Sequence, residues 1–169
     1  VDVDYYTDAN LAVAVKVISV DAARNDLPFQ SKFGEVSVTA VATIYKKIKL
    51  YTNENVGSGQ ISIPDMNMHT QGMWFSIPQA ISRLVDPHLM GGILSGFANV
   101  ILNIAPLFLM SDKNDLGVAI EVRSSYDGLP TVYLYDSYPG GVGLAEKAFD
   151  LLPHILKASY ELMVACPCS

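Results

Sequence analysis

Cys166 and Cys168 are the only cysteines in the chain, and they stand one residue apart in Cys166-Pro167-Cys168-Ser169. Two thiolates at this spacing can hold one half of a tetrahedral zinc site, and a structural zinc takes four ligands. The other half is absent, so the pattern reads as a metal motif cut through its middle. Taken on the residues alone, inert terminal thiols or a strained C-x-C disulfide stand level with metal binding.

A second candidate is Pro139-Gly140-Gly141-Val142-Gly143. Glycines that open a helix can present backbone N–H groups to an anion. The Walker lysine and Ser/Thr are missing, as is the full dinucleotide fingerprint. The preferred reading is a tight strand-to-helix turn, with Asp136 accepting hydrogen bonds from it. The alternative is an independent small-molecule or nucleotide-binding module built on the Gly140-Gly141 turn.

The remaining polar residues carry less chemistry. His69, His88 and His154 form no metal-ligand spacing; His69 is expected against Trp74 and His154 in solvent. No Gly-x-Ser-x-Gly elbow exists. A cysteine-dependent enzyme pairing Cys166 with His154 fails on distance, because a continuous helix would separate them by about 18 Å. Lys46, Lys47 and Lys49 form the one basic cluster, read as a solvated strand end or a minor phosphate-contacting patch.

These residues need a scaffold. Leu11 to Ile18 and Val36 to Ile44 alternate as strands, with a loop from Asp21 to Gly34 between them. Asn53 to Gly59 reads as a turn. Met66 to Ile77 is a strand whose apolar set changes face, which predicts a bulge near Gly72. A short helix is expected over Gln79 to Val85. A longer one starts near Ile93, after breaks at Pro87 and Gly91-Gly92, with Ile93, Phe97, Val100, Ile101, Ile104 and Phe108 on its inner face. Leu116 to Arg123 and Thr131 to Asp136 are strands joined through Asp127-Gly128. Gly143 to Ala165 is a helix that Pro153 kinks or splits, with Leu144, Ala148, Leu151, Ile155, Ala158 and Leu162 in one stripe. The fold class is α+β: an antiparallel sheet with long helices packed on one face.

The chain has 169 residues, 50% of them hydrophobic and 17% charged, with a formal net charge of −6. That suits one domain over residues 1–169, with a real core. The acidic balance argues against non-specific DNA binding by the chain alone. The start lacks the apolar region of a signal peptide. The apolar stretch Ile93 to Met110 reads as a buried helix, so no membrane partner is expected. A cytoplasmic setting follows from the low cysteine count.

The run Tyr133 to Glu146, followed by a helix ending in Cys-Pro-Cys, resembles the C-terminal zinc-binding domain of the MrfA-like repair helicases, which are of DEAD/DEAH-box type. Tyr45 to Leu50, His69-Thr70 to Trp74-Phe75, Pro106 to Met110 and Asp115-Leu116-Gly117 look like landmarks of the same family in the same order. The resemblance covers roughly Gly34 to Ser169. It implies that Cys166 and Cys168 bind a structural zinc, completed by a Cys-x-x-Cys in the intact parent. It implies an accessory domain of a superfamily 2 ATP-dependent DNA helicase acting in DNA repair. Its partners would be the motor domains of the same polypeptide and, through the parent, DNA. No P-loop or DEAH-like motif is in the chain, so the expectation for this segment is no catalytic residue and no ATPase activity.

Overall fold

β7 (Thr131–Asp136) is buried at every position, which requires cover on both faces of the sheet. Its even residues, Val132 and Leu134, join the core beneath the helices, whereas Tyr133 packs with Trp74. This is the period-2 alternation of a strand with two filled faces.

The computed structural model describes residues 5–49, 55–60 and 66–166; of residues 5–11, 41–49, 55, 56 and 60 it describes the backbone alone. The chain is α+β, an antiparallel curled sheet with helices packed against it. The other strands are β1 (Tyr5–Val17), β2 (Ala22–Arg24), β3 (Ser31–Lys49), β4 (Asn55–Gln60), β5 (Met66–Ser76) and β6 (Leu116–Glu121). The order is β1-β3-β5-β7-β6, with β2 and β4 also pairing with β3. The helices are α1 (Gln79–Ser82), α2 (Pro87–Leu109), α3 (Leu144–Asp150) and α4 (Leu152–Ala165).

Two compact units divide the chain: Val1–Ala14 with Val38–Asn67, and Val15–Ser37 with Met68–Ser169. In the first, β4 pairs antiparallel with β3, with a register shift between Lys47 and Ile48. The second holds every helix among the described residues, together with the glycine turn, the three histidines and Cys166.

Several local expectations are corrected. The segment expected as a loop from Asp21 to Gly34 contains β2, which returns onto β3 with Ala22 opposite Phe33. β4 occupies most of the expected turn at Asn53 to Gly59. Against β7 the ladder runs evenly from Gly72↔Tyr135 to Ser76↔Thr131, with no register shift from Gly72 onward. The apolar set changes face because both faces are buried there. Glycine suits position 72 because an added Cβ would lie 3.0 Å from a Val36 methyl.

α2 begins at Pro87, not Ile93. Asp86 caps it, accepting from His88 N at 2.9 Å, and proline is tolerated in the first turn, where no intrahelical partner is lost. Gly91 and Gly92 lie inside it without breaking it. Its inner face is Met90, Leu94, Ala98, Ile101, Ala105 and Leu109, one step round from the face expected, and Ile93 is 48% exposed. Leu94 and Ala105 on this face are fully buried, and α2 packs against β6 and α4.

The last helix is split at Leu151, with Pro153 in the first turn of α4. The break rotates the buried stripe. Ala145, Ala148, Phe149, Leu152, Ile155 and Ser159 are buried, whereas Leu151 and Ala158 are half-buried and Leu162 is exposed. Burying a leucine side chain fully is worth about 1.5–3 kcal/mol.

Candidate functional site

Every backbone amide from Gly140 to Ala145 already has a partner inside the chain. Gly140 N donates to His69 O at 2.8 Å and Gly141 N to Tyr138 O at 3.0 Å. Val142, Gly143 and Leu144 donate to Asp136 Oδ2 at 2.6, 2.9 and 3.3 Å. Ala145 N donates to Asp136 Oδ1 at 2.7 Å. Asp136 is wholly buried at the end of β7. Its carboxylate sits where a bound phosphate would sit at an anion-binding turn, and it satisfies the donors that open α3.

The turn can take this shape because Gly140, Gly141 and Gly143 have φ of 79°, 77° and 85°. Side-chain-bearing residues pay about 1–2 kcal/mol for that region. At Gly141 an added Cβ would also lie 2.8 Å from Gln71 Cγ. The Gly140-Gly141 turn is therefore a structural joint with no open amide for a nucleotide phosphate.

Sequence landmarks that looked unrelated converge on this joint. Thr70 Oγ1 bonds the carbonyls of Asp136 at 2.9 Å and Tyr138 at 2.8 Å. Tyr138 donates its hydroxyl to Asp115 Oδ1 at 2.7 Å, and Ser137 N donates to Asp115 O at 2.9 Å. That acceptor raises the Tyr138 pKa, because a donor bond to a carboxylate favours the neutral phenol. Gly117 pairs with Tyr135 across β6 and β7, and the Tyr135 ring covers the space a side chain at 117 would need. The bridging role of Asp115 was missed in the sequence, where only its place beside Leu116-Gly117 marked it.

The cysteines lie at the far end of α4. Cys166 is exposed, with φ −69° and ψ 122°, the extended geometry that a following proline imposes. In extended chain, residues i and i+2 point to the same side. The Cys-Pro-Cys sequence thus suits two thiolates on one metal, though Cys168 lies outside the described residues. Among the described residues no group of three or more His, Cys, Asp and Glu side chains is placed to hold a metal. The donor set fits half of a thiolate zinc site.

The other candidates separate. His69 is exposed on β5, not buried as expected; its carbonyl serves the joint. His88 and His154 are exposed. Lys46, Lys47 and Lys49 lie on β3, but their side chains are outside the described residues. A cavity of about 520 Å³ beside Phe29, Gln30, Pro78 and Gln79 has no charged residue in its lining and lies apart from these groups.

Residues 97–169 match a family described as the MrfA Zn-binding domain. Over 168 residues the chain is 43% identical to the uncharacterized ATP-dependent helicase YprA of Bacillus subtilis (strain 168), covering 99% of this chain and 22% of that protein. It is 22% identical over 185 residues to the ATP-dependent helicase HRQ1 of Saccharomyces cerevisiae (strain ATCC 204508 / S288c), covering 100% of this chain and 17% of that one. Among solved structures, the crystal structure of DUF1998 helicase MrfA bound to DNA superposes with a TM-score of 0.75 at 40% identity, over 99% of this chain and 22% of that chain. A crystal structure of DUF1998 helicase MrfA gives 0.67 at 33% identity, over 96% of this chain and 21% of that chain. The chain thus spans about a fifth of the length of the curated relatives it matches.

Proposed function

From a chain that resembles the MrfA Zn-binding domain of MrfA/YprA-like helicases, we propose that it serves as an accessory structural domain beside the motor of an ATP-dependent DNA helicase acting in repair. The observation that carries this is the likeness of nearly the whole chain, at 40% identity, to a helicase solved bound to DNA. The domain contributes position, not chemistry. The glycine joint ties the end of β7 to the start of α3, and the net charge of −6 leaves DNA affinity to the motor.

Cys166 and Cys168 supply two thiolates to a structural zinc whose remaining ligands come from outside the described residues. Such a zinc has all four positions filled and tethers the end of α4 to the neighbouring chain. The competing nucleotide-binding reading draws no support from the Gly140-Gly141 turn, whose amides are spent on Asp136, His69 and Tyr138.

The test uses the polypeptide in which this domain adjoins helicase motor domains. Metal analysis should find about one zinc per chain, lost in Cys166→Ser with Cys168→Ser. The same protein should unwind DNA only with ATP. In the 169-residue chain the double change should leave unfolding free energy within about 0.5 kcal/mol, because Cys166 is exposed at a helix end. A zinc-free protein that does not unwind DNA would defeat the reading.

A further inference from the structure

α2 carries two apolar faces, and among the described residues only one is packed. The inner face packs on the sheet and on α4. The outer face holds Leu89, Ile93, Gly96, Val100 and Leu107, with Asn103 completing alternating steps of four and three, and Met110 follows as the left-handed C-cap. Leu89 is 61% exposed, Ile93 48%, Leu107 73% and Met110 92%. From Pro87 to Leu109 there is no Asp, Glu, Lys or Arg. A helix face destined for water carries charge, and a contiguous exposed apolar face marks an interaction site.

The four-three spacing selects the partner's shape. It is the seam by which one helix receives another, knobs into holes, over about 27 Å of axis. An added Cβ at Gly92 or Gly96 would meet nothing within 4 Å, so the middle of the seam is a notch where a second backbone can come close. Lys113 bonds Asn103 Oδ1 at 3.0 Å, so one charge lies against the seam at position 103.

We propose that this outer face of α2 receives an apolar-faced helix from the helicase region of the same polypeptide. The proposal rests on the functional reading above, and it names the surface through which the accessory domain is held. An occupant within the same polypeptide is favoured because this chain covers only 22% of the related structure, so a large neighbouring body accompanies the domain there. A bilayer is disfavoured. α2 is long and apolar enough to span one, but its inner face is locked into the core, with Leu94 and Ala105 fully covered. The net charge of −6 also repels anionic lipid.

The test places the photo-cross-linker p-benzoylphenylalanine at Leu107 in the full polypeptide carrying both domain and motor. The expected product joins position 107 to a peptide outside residues 1–169 of the same molecule. Gly96→Leu fills the notch while favouring helix, and should lower that cross-link roughly tenfold or more. Far-ultraviolet circular dichroism and zinc content of the variant should be unchanged. A cross-link to a second copy, to added phosphatidylglycerol vesicles, or to nothing would overturn the proposal, as would an unaltered yield in Gly96→Leu. Zinc content and ATP-dependent unwinding, measured on the unsubstituted protein, report on the functional reading separately.

Discussion

The carboxylate of Asp136 lies 2.7 Å from the amide of Ala145, and this bond ties the last residue of β7 to the first turn of α3. The same side chain takes three further amides. One buried carboxylate thereby replaces the external anion that a glycine-rich helix start would otherwise attract.

Asp136→Ala should destabilise the chain by about 3 kcal/mol or more, because it strands amide donors in a buried turn. Asp136→Asn should cost less, since its amide oxygen still accepts. Urea unfolding measures both. A loss under about 1 kcal/mol for the alanine variant would mean that solvent already satisfies these amides.

Gly140→Ala and Gly141→Ala should differ although their φ angles are nearly equal. At 140 the side chain enters open space, so the cost is backbone strain alone, about 1–2 kcal/mol. At 141 the new methyl also meets Cβ and Cγ of Gln71 at 2.9 and 2.8 Å. Gly141→Ala should therefore be clearly the worse of the two by thermal unfolding, and equal losses would show that Gln71 moves aside freely.

Leu152→Ala should cost about 2–5 kcal/mol and Leu162→Ala close to nothing, because Leu152 is 1% exposed and Leu162 49%. Both are leucines on α4, so propensity cancels in the comparison. Similar losses at the two sites would place the helix break elsewhere than Leu151.

Stability should fall at alkaline pH through Tyr133. Burial pushes its phenol from 10.0 to about 12, with Glu121 and Asp127 adding to the shift and the Ser124 hydrogen bond opposing it. The folded state holds this proton more tightly than the unfolded state. The contribution is therefore complete below pH 10 and is lost as pH rises from 10 through about 12. Tyr133→Phe should remove part of that decline and leave the part due to Tyr135, whose phenol burial also raises, and to Tyr138. Denaturant unfolding across this window, with the phenolate absorbance followed in parallel, checks it. A slope identical in the variant would show that Tyr133 ionises in the folded state as it does unfolded.

The local signals in the sequence were strong wherever one residue type dictates backbone geometry. The alternation of Thr131 to Asp136 marked β7 to the residue. Pro153 marked the helix break, and the glycines after Pro139 marked a strand-to-helix turn that Asp136 would serve. The order of elements, the antiparallel α+β class and the resemblance to the MrfA-like zinc-binding domain all rested on such signals.

What tertiary structure decided was phase and partnership. The inner face of α2 could not be read from its composition, because apolar residues surround the helix and no charge marks a solvent side. α2 packs against β6 and α4, and Leu94 and Ala105 are buried where Ile93 is exposed. The buried stripe of α4 shifted to Leu152 because the break at Leu151 reset the helical phase, which a continuous 3.6-residue period does not anticipate. Asp115 and Tyr138, 23 residues apart, became partners only when β6 paired with β7. Chain-local sterics act within a few residues and are written in the sequence; which of several apolar faces is buried depends on what arrives from elsewhere in the chain.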